Sequence, residues 1–439
     1  MKDVAKEKKS GKKKIRFSNT GTRQFLLWAF VFVVLMLLAF QNPLEAVFYP
    51  AKYIDETVGL AGVLLCCVFH SIVREKLKKR ELFLLLLFLA IYVSAGVISS
   101  IINHYQSFRW AAIDFYTNLK FFMALAEGII LGTILHYDEL KKPMIAGSRL
   151  ITIALFICFI LNRIFNLWAS KEIRHGINTV RLFYYHPTYL AAVMVFLLAV
   201  FALFYEKNNI IFMLMDLILL FFTTRAKSFA AVLIYVYLWF VIVIIQSGIK
   251  WWHIVAVAIT SVAIAWDRII LFLPGFSRSD AGEYSARSTE LTTSLQLLKD
   301  YFPFGTGFGT FATDVAGNHY SPVYIRYGFC DSAQMSLVEG RLFYFFDDVF
   351  YPIIIGQTGI IGMVAFAFII IVLVFLSMNM KKIDFRYYFS SVFIIGYLLV
   401  SSTAEPTFNN ALSIPISLLF GMIIGWTDQR GADSEKKQG

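Results

Sequence analysis

Apolar runs of membrane length recur along almost the whole chain, and no other feature restricts its possible folds so tightly. About 20 apolar residues are needed to cross a hydrocarbon core as a helix. Twelve runs approach or exceed that: near 24–41, 57–73, 82–103, 119–136, 145–168, 188–205, 210–224, 229–247, 251–273, 349–376, 386–404 and 408–427, the seventh being the shortest. They are continuously apolar and lack the period-two alternation of a membrane β-strand, which excludes a barrel. Only 16% of the 439 residues are charged, against about 25% in soluble domains. The expected fold class is an all-α integral membrane protein with about twelve transmembrane helices and one long extracytoplasmic loop.

Charge placement then orients the chain. Nine Lys and Arg fall in 1–23 and five more in 74–80, with others near Lys141, Lys381 and Lys436. With twelve spans these clusters share one side, which the positive-inside rule makes cytoplasmic. The domain reading follows: a basic cytoplasmic head at 1–23, spans one to nine over 24–273, an extracytoplasmic loop at 274–348, spans ten to twelve over 349–427, and a cytoplasmic tail at 428–439. The net charge of +11 is thus accounted for by orientation and attraction to anionic membrane lipid, not by nucleic acid. The stretch 2–16 is long and charged for a signal n-region and no cleavage site follows, so the first span reads as retained. Cys66, Cys67 and Cys158 lie in spans and Cys330 alone in the loop, which therefore has no internal disulfide to hold it. Within the loop, Leu291, Leu297 and Leu298 fall at helical spacing and Glu290 sits near the start, predicting a short amphipathic helix over 288–298.

The chemically loaded residues are basic positions placed at the extracytoplasmic face. Arg181 and His186 stand in Arg181-Leu182-Phe183-Tyr184-Tyr185-His186-Pro187-Thr188 before the sixth span. Arg225 and Lys227 occupy the turn between the seventh and eighth, and Arg287 lies in the loop. Guanidinium groups form bidentate hydrogen bonds to phosphate, stay charged at any physiological pH, and are costly at a membrane without an anionic partner. Such a set suits a diphosphate; the bland alternative for each is a snorkelling loop residue. Tyr284, Tyr320 and Tyr324 are candidate platforms for sugar faces, although Tyr also gathers at membrane interfaces for amphipathic reasons. Gly305, Gly307 and Gly309 lack the spacing and the following Lys of a nucleotide-binding loop and read as a turn.

Charges inside or beside the spans (Glu127, Arg163, Asp216, Asp267 and Arg268) open a rival class. Each needs a partner or a wet cavity, and a twelve-span glycolipid transporter would use such groups. Its halves should then show matching broken helices, whereas the loaded motifs here gather beside one large outer loop. Asp216 is expected to pair with a basic residue of a neighbouring span.

Three segments follow one another in order: Ser285-Ala286-Arg287-Ser288-Thr289-Glu290-Leu291, then Phe302-Pro303-Phe304-Gly305-Thr306-Gly307-Phe308-Gly309-Thr310-Phe311, then Gly356-Gln357-Thr358-Gly359-Ile360-Ile361-Gly362. This order resembles that of the O-antigen ligase and polymerase (WaaL/Wzy-like) family. In that family an Arg and a His-Pro begin a span, as Arg181 and His186-Pro187 do here. A Ser-Arg-Gly-Ala-like turn opens another, matched by Thr224-Arg225-Ala226-Lys227, and a loop Arg precedes a Pro-x-x-Gly-x-Gly segment, as Arg287 precedes Pro303. The resemblance covers about 181–362. Ligase-type members carry a His-Asn where this chain has Phe346-Asp347-Asp348-Val349, which favours the polymerases.

What the resemblance implies is a membrane glycosyltransferase of the bacterial inner membrane, acting without cofactor or metal. A glycan on an undecaprenyl diphosphate carrier would pass to a sugar hydroxyl of a second carrier-linked unit, with a chain-length regulator and a flippase as partners. The diphosphate is a good leaving group, so cations that stabilise its growing charge, here Arg225 and Arg287 backed by Arg181 and Lys227, do much of the work. Base candidates for the acceptor hydroxyl are His186, Asp347 and Asp348. The runner-up is a ligase that attaches the finished glycan to another acceptor.

Overall fold

A computed structural model of the chain describes residues 40–250 except 169, 171 and 175, then 253, 259–260, 286–331, 335, 337–338, 341–342 and 349–438, the last eleven and a few others as backbone only. These residues fold almost entirely as helices: α1 Ile54–Val68, α2 His70–Lys76, α3 Arg80–Asn103, α4 Phe108–Ile134, α5 Tyr137–Phe165, α6 Pro187–Leu203, α7 Ile210–Phe222, α8 Ala226–Leu238, α9 Ala286–Asp300, α10 Asp314–Asn318, α11 Pro322–Arg326, α12 Phe350–Met380, α13 Phe385–Ser401 and α14 Ile414–Gln438. Two antiparallel hairpins of two-residue strands, Ile173–Arg174 with Ile177–Asn178 and Leu337–Val338 with Arg341–Leu342, are the sheet content among the described residues.

Ten of the twelve apolar intervals coincide with described helices; nearly all of 24–41 and 251–273 lies outside the described residues. Five helices are long and apolar enough to cross a membrane, α3, α4, α5, α8 with its continuation to Ile244, and α12. A sixth arises if α1 and α2 are one span bent by 86° at Phe69. Helix α6 is shorter but is buried on every side, with all of Leu190–Leu203 at 2% exposure or less. A helix that is apolar all round belongs at the centre of a bundle, and α6 packs among α5, α7 and α13.

Helices α4 and α14 cross with almost no separation. A Cβ placed on Gly128 would run into the Leu418 carbonyl oxygen, and one on Gly421 into that of Leu125. Small residues let backbones approach so closely, and Ser417 and Trp426 then donate to the Phe121 and Leu135 carbonyls at 2.7 and 2.8 Å. Two buried carboxyl groups inside the bundle are satisfied in different ways. Lys120 and Asp55 form an ion pair at 2.6 Å, 8% and 4% exposed. Asp216 accepts from the Thr152 hydroxyl at 3.0 Å instead of from the basic residue expected from sequence. A hydroxyl satisfies a buried carboxyl without burying a second charge.

Residues 286–331 dock at one end of the bundle, called here the loop end. Helix α9 runs two residues further at each end than the sequence spacing predicts and buries Ser288, Glu290, Thr293 and Ser294 together with Leu297, leaving Leu291 and Leu298 half-exposed. The face against the bundle is therefore more polar than the leucine spacing implied. The glycine segment is plugged between α3 and a break in α12. At Gly359 the backbone takes φ 61°, ψ −158°, a conformation in which only glycine is comfortable. The break frees the Gly356 and Gln357 carbonyls to accept from the Thr306 and Gly307 amides, both at 2.9 Å. On the other side Asn103 and Ser99 donate to the Gly305 carbonyl, Ser100 accepts from the Phe308 amide, and Asp114 accepts from the Gly309 amide at 2.8 Å. The two glycine motifs read from sequence thus hold one another.

Candidate functional site

Two tight turns at the loop end place the basic residues. Helix α7 ends in Thr223 and Thr224, and Thr224 adopts φ 53°. Its hydroxyl meets that of Thr179 at 2.6 Å while the Val180 amide donates to the Phe222 carbonyl, tying this turn to the strand that leads into Arg181. Arg225 then caps α8. In the second turn Leu182 takes φ 51° with its side chain buried, and His186 precedes Pro187 at the start of α6. Left-handed backbone at Leu and Thr is uncommon and persists where surrounding contacts enforce it, often at functional sites.

The Arg225 guanidinium joins these turns. Its Nη2 donates to Glu172 Oε2 at 2.6 Å and faces His186 Nε2 at 2.7 Å. A guanidinium only donates, so the imidazole accepts at Nε2, while its Nδ1 lies 2.9 Å from the Thr188 hydroxyl and 3.3 Å from the Thr188 amide. Removal from bulk water, then the charges of Arg225 and Lys227, push the His186 pKa down to about 4, with Glu172 opposing them. The ring is thereby a neutral acceptor that holds Arg225. A group titrating so low, with its lone pair already occupied, is a weak base at neutral pH.

Three of the cations here have an acid of the chain itself, Arg174, Arg225 and Lys227. Glu172 bridges Arg225 and Arg174, the latter at 2.5 Å. Lys227 pairs with Glu405, which also accepts from the Ser401 hydroxyl; Lys227 and Glu405 are 5% and 9% exposed. Arg287, half-buried in the first turn of α9, lies within coulombic reach of Lys227. Arg181 is half-buried and donates to the Tyr185 carbonyl at 3.2 Å. The arrangement therefore gathers His186, Arg225 and Lys227, with Arg287 in electrostatic range and Arg181 on the adjoining turn. Neither Glu172 nor Glu405 was singled out from sequence. One signal for them existed: each is the sole acid of its interhelical segment, 166–186 and 402–413.

The aromatic candidates separate. Tyr324 is fully buried, its ring packed against Phe311 and Phe329 and its hydroxyl accepting from the Ala312 amide at 2.8 Å, so packing uses both faces and the polar tip. Tyr320 is half-buried, and its hydroxyl donates to the Met335 carbonyl at 3.1 Å. Tyr284, Asp347 and Asp348 lie outside the described residues.

Beside the basic cluster opens a cavity of about 490 Å³, within the range of small-ligand sites. Its lining includes Asn42, Asp55, Asp114, Lys120, Tyr184 and Asn409. The two regions share a wall: Tyr184 and Tyr189, on either side of His186, line the cavity, and the Tyr185 amide donates to Asn42 at 2.9 Å. A strip of arginine and lysine, with Arg225 and Lys227 held by acids of the chain, thus adjoins a polar chamber at the same end of the bundle. No protein-family model matches the chain and no curated protein is similar to it in sequence.

Proposed function

We propose that the chain is an integral membrane glycosyltransferase of the polysaccharide polymerase type, with twelve spans, both termini cytoplasmic and 274–348 on the opposite side. The observation that carries the reading is the meeting of Arg225, His186 and Lys227, near Arg287, beside a ligand-sized polar cavity. Residues from three separate segments, around 186, 225–227 and 287, chosen from sequence as a basic set suited to a diphosphate, lie in one neighbourhood. Helices α1, α4 and α14 also run in the same direction, since Gly59 meets Tyr116 and Gly62 meets Met123 while Gly128 meets Leu418 and Gly132 meets Met422. Spans two, four and twelve of an alternating bundle must do so.

In the proposed reaction the acceptor hydroxyl oxygen attacks the anomeric carbon of a carrier-linked glycan. The bond from that carbon to the diphosphate oxygen breaks, and undecaprenyl diphosphate leaves with the electron pair. Arg225 and Lys227 exchange Glu172 and Glu405 for the growing phosphate charge, with Arg287 completing the set; such charge-assisted, partly desolvated hydrogen bonds are the strong ones. His186 keeps the Arg225 fork in place. The hydroxyl proton passes to a carboxylate, Asp347, Asp348 or Glu405, because the His186 lone pair is engaged.

Deleting the gene and profiling surface and carrier-linked glycan tests this. Single repeat units in place of long chains are expected. Full-length polymer stranded on the carrier would convert the reading to a ligase, and an unchanged profile would discard both in favour of transport.

A further inference from the structure

The cavity differs in character from the basic strip. Its lining carries five carboxylic acids, Glu45, Asp55, Glu56, Asp114 and Asp314, against two lysines, Lys52 and Lys120. Lys120 is already neutralised by Asp55 at 2.6 Å. Acidity alone would mean little, but two buried side chains in the wall also have acceptor atoms without a hydrogen-bond partner. Asp114 is 0% exposed and Asn409 is 8% exposed, and Oδ1 of each lacks a donor, although the side chains of Thr313 and Gln357 stand near Asp114. An unfilled buried acceptor costs about 1–3 kcal/mol. Asp114 Oδ2, by contrast, is held by the Gly309 amide at 2.8 Å and by Asn118 at 3.1 Å, so the carboxylate is fixed in orientation.

We infer that this cavity binds a neutral or amino-bearing saccharide through its hydroxyl or ammonium donors and disfavours acidic sugars. A hydroxyl-rich ring supplies the donors that Asp114 and Asn409 lack, and the half-buried Tyr189 ring in the lining offers an apolar face for its C–H side. A uronate would bring a further negative charge into a partly desolvated chamber whose acids outnumber its lysines five to two, where like charges are costly. The phosphate end of a substrate belongs on the basic strip, so the shared wall separates two chemistries of one carrier-linked glycan. The inference rests on the glycan-transfer reading for that pairing of sites, but its test needs no turnover.

The full-length protein in nanodiscs is titrated at low ionic strength with three probes of equal length: maltotetraose, the glucosamine tetramer and tetragalacturonate. Binding is read by calorimetry or native mass spectrometry. The glucosamine tetramer is expected to bind tightest and tetragalacturonate at least tenfold more weakly than maltotetraose. Asp114→Asn should weaken maltotetraose about tenfold. The rim substitutions Glu45→Gln and Asp314→Asn, at positions that do not hold the helices together, should narrow the gap between the amino and acidic probes several-fold. Equal affinity for the glucosamine and galacturonate tetramers, or rim variants that leave the ranking unchanged, would overturn the inference whether or not Asp114→Asn folds. Arg225→Lys lies outside the lining and should keep saccharide binding. If it does so while the deletion strain shows a normal glycan profile, the polymerase reading fails and the saccharide site stands.

Discussion

The basic strip and the acidic chamber lie wall to wall, yet they handle buried charge in opposite ways. In the strip the principal cations have acids of the chain, Arg225 with Glu172 and Lys227 with Glu405. In the chamber Asp55 and Lys120 cancel, while Asp114 and Asn409 keep an acceptor atom unfilled. The first arrangement is one of exchange, in which an incoming anion replaces a carboxylate; the second is one of completion, in which an incoming donor fills a gap. Motif reading favours the first kind. Arginine beside a membrane announces itself, whereas an unfilled carboxylate oxygen looks like any other acid until its neighbours are known.

The largest effect expected is on the chamber wall. Lys120→Met leaves Asp55 buried and unpaired, which costs about 3–5 kcal/mol, and thermal unfolding followed in detergent should show a large loss. Lys120→Met combined with Asp55→Leu should recover much of it, since a buried pair replaced by apolar groups is often neutral. If the single variant is as stable as the parent, the pair contributes nothing to this wall.

Next comes the strip. Arg225→Lys retains charge but loses the planar fork shared between Glu172 and His186, and roughly a hundredfold loss of polymer formation is expected from one or two charge-assisted hydrogen bonds at about 1.5–3 kcal/mol each. Chain-length analysis of surface glycan measures it. Near-normal chains would show that exchange at Arg225 is not how the strip works.

A smaller effect separates both regions from their scaffold. Tyr324→Phe keeps the ring packing and orphans the Ala312 amide, with an expected cost of about 1–3 kcal/mol and no change in saccharide binding. A loss of saccharide binding without loss of stability would return Tyr324 to the ligand-binding set.

The finest test concerns pH. The His186 pKa is lowered from 6.5 to about 4, so the unfolded chain takes up a proton between those values while the folded chain resists. Stability should therefore decline as pH falls from 6.5 through 4, and His186→Gln should flatten that slope. A parent and variant with identical slopes would mean that the folded site does not hold the imidazole neutral.

Much of the helical frame was legible because apolar runs are local: ten intervals fall on helices. The ends were not. Helix α4 begins eleven residues before its apolar interval, taking in the polar Asp114 and Asn118, and Lys120 falls just inside that interval. Those residues are tolerated because Gly309, Tyr92 and Asp55 meet them across 195, 26 and 65 positions of chain. The basic half of the site was visible for the converse reason, that isolated cations at a membrane are conspicuous. Its acidic partners and the chamber arise from long-range pairings, such as Glu172 with Arg225 across 53 residues, that no local pattern encodes.

The docking of the glycine segment into the break of α12 also imposes an order on biosynthesis. Chains emerge from the N-terminus and fold as they do so, and residues 305–309 appear about fifty residues before Gly356 and Gly359, whose carbonyls and close approach hold them. Until α12 is made, the segment can engage the earlier helices alone, through hydrogen bonds with Ser99, Ser100, Asn103 and Asp114 and the packing of Phe308 on Tyr92 and Phe115. Asn409, and the α4–α14 crossing that follows it, come later still. The chamber is therefore completed only by the final stretch of the chain, and a product released early would contain nearly every loaded residue without an assembled site.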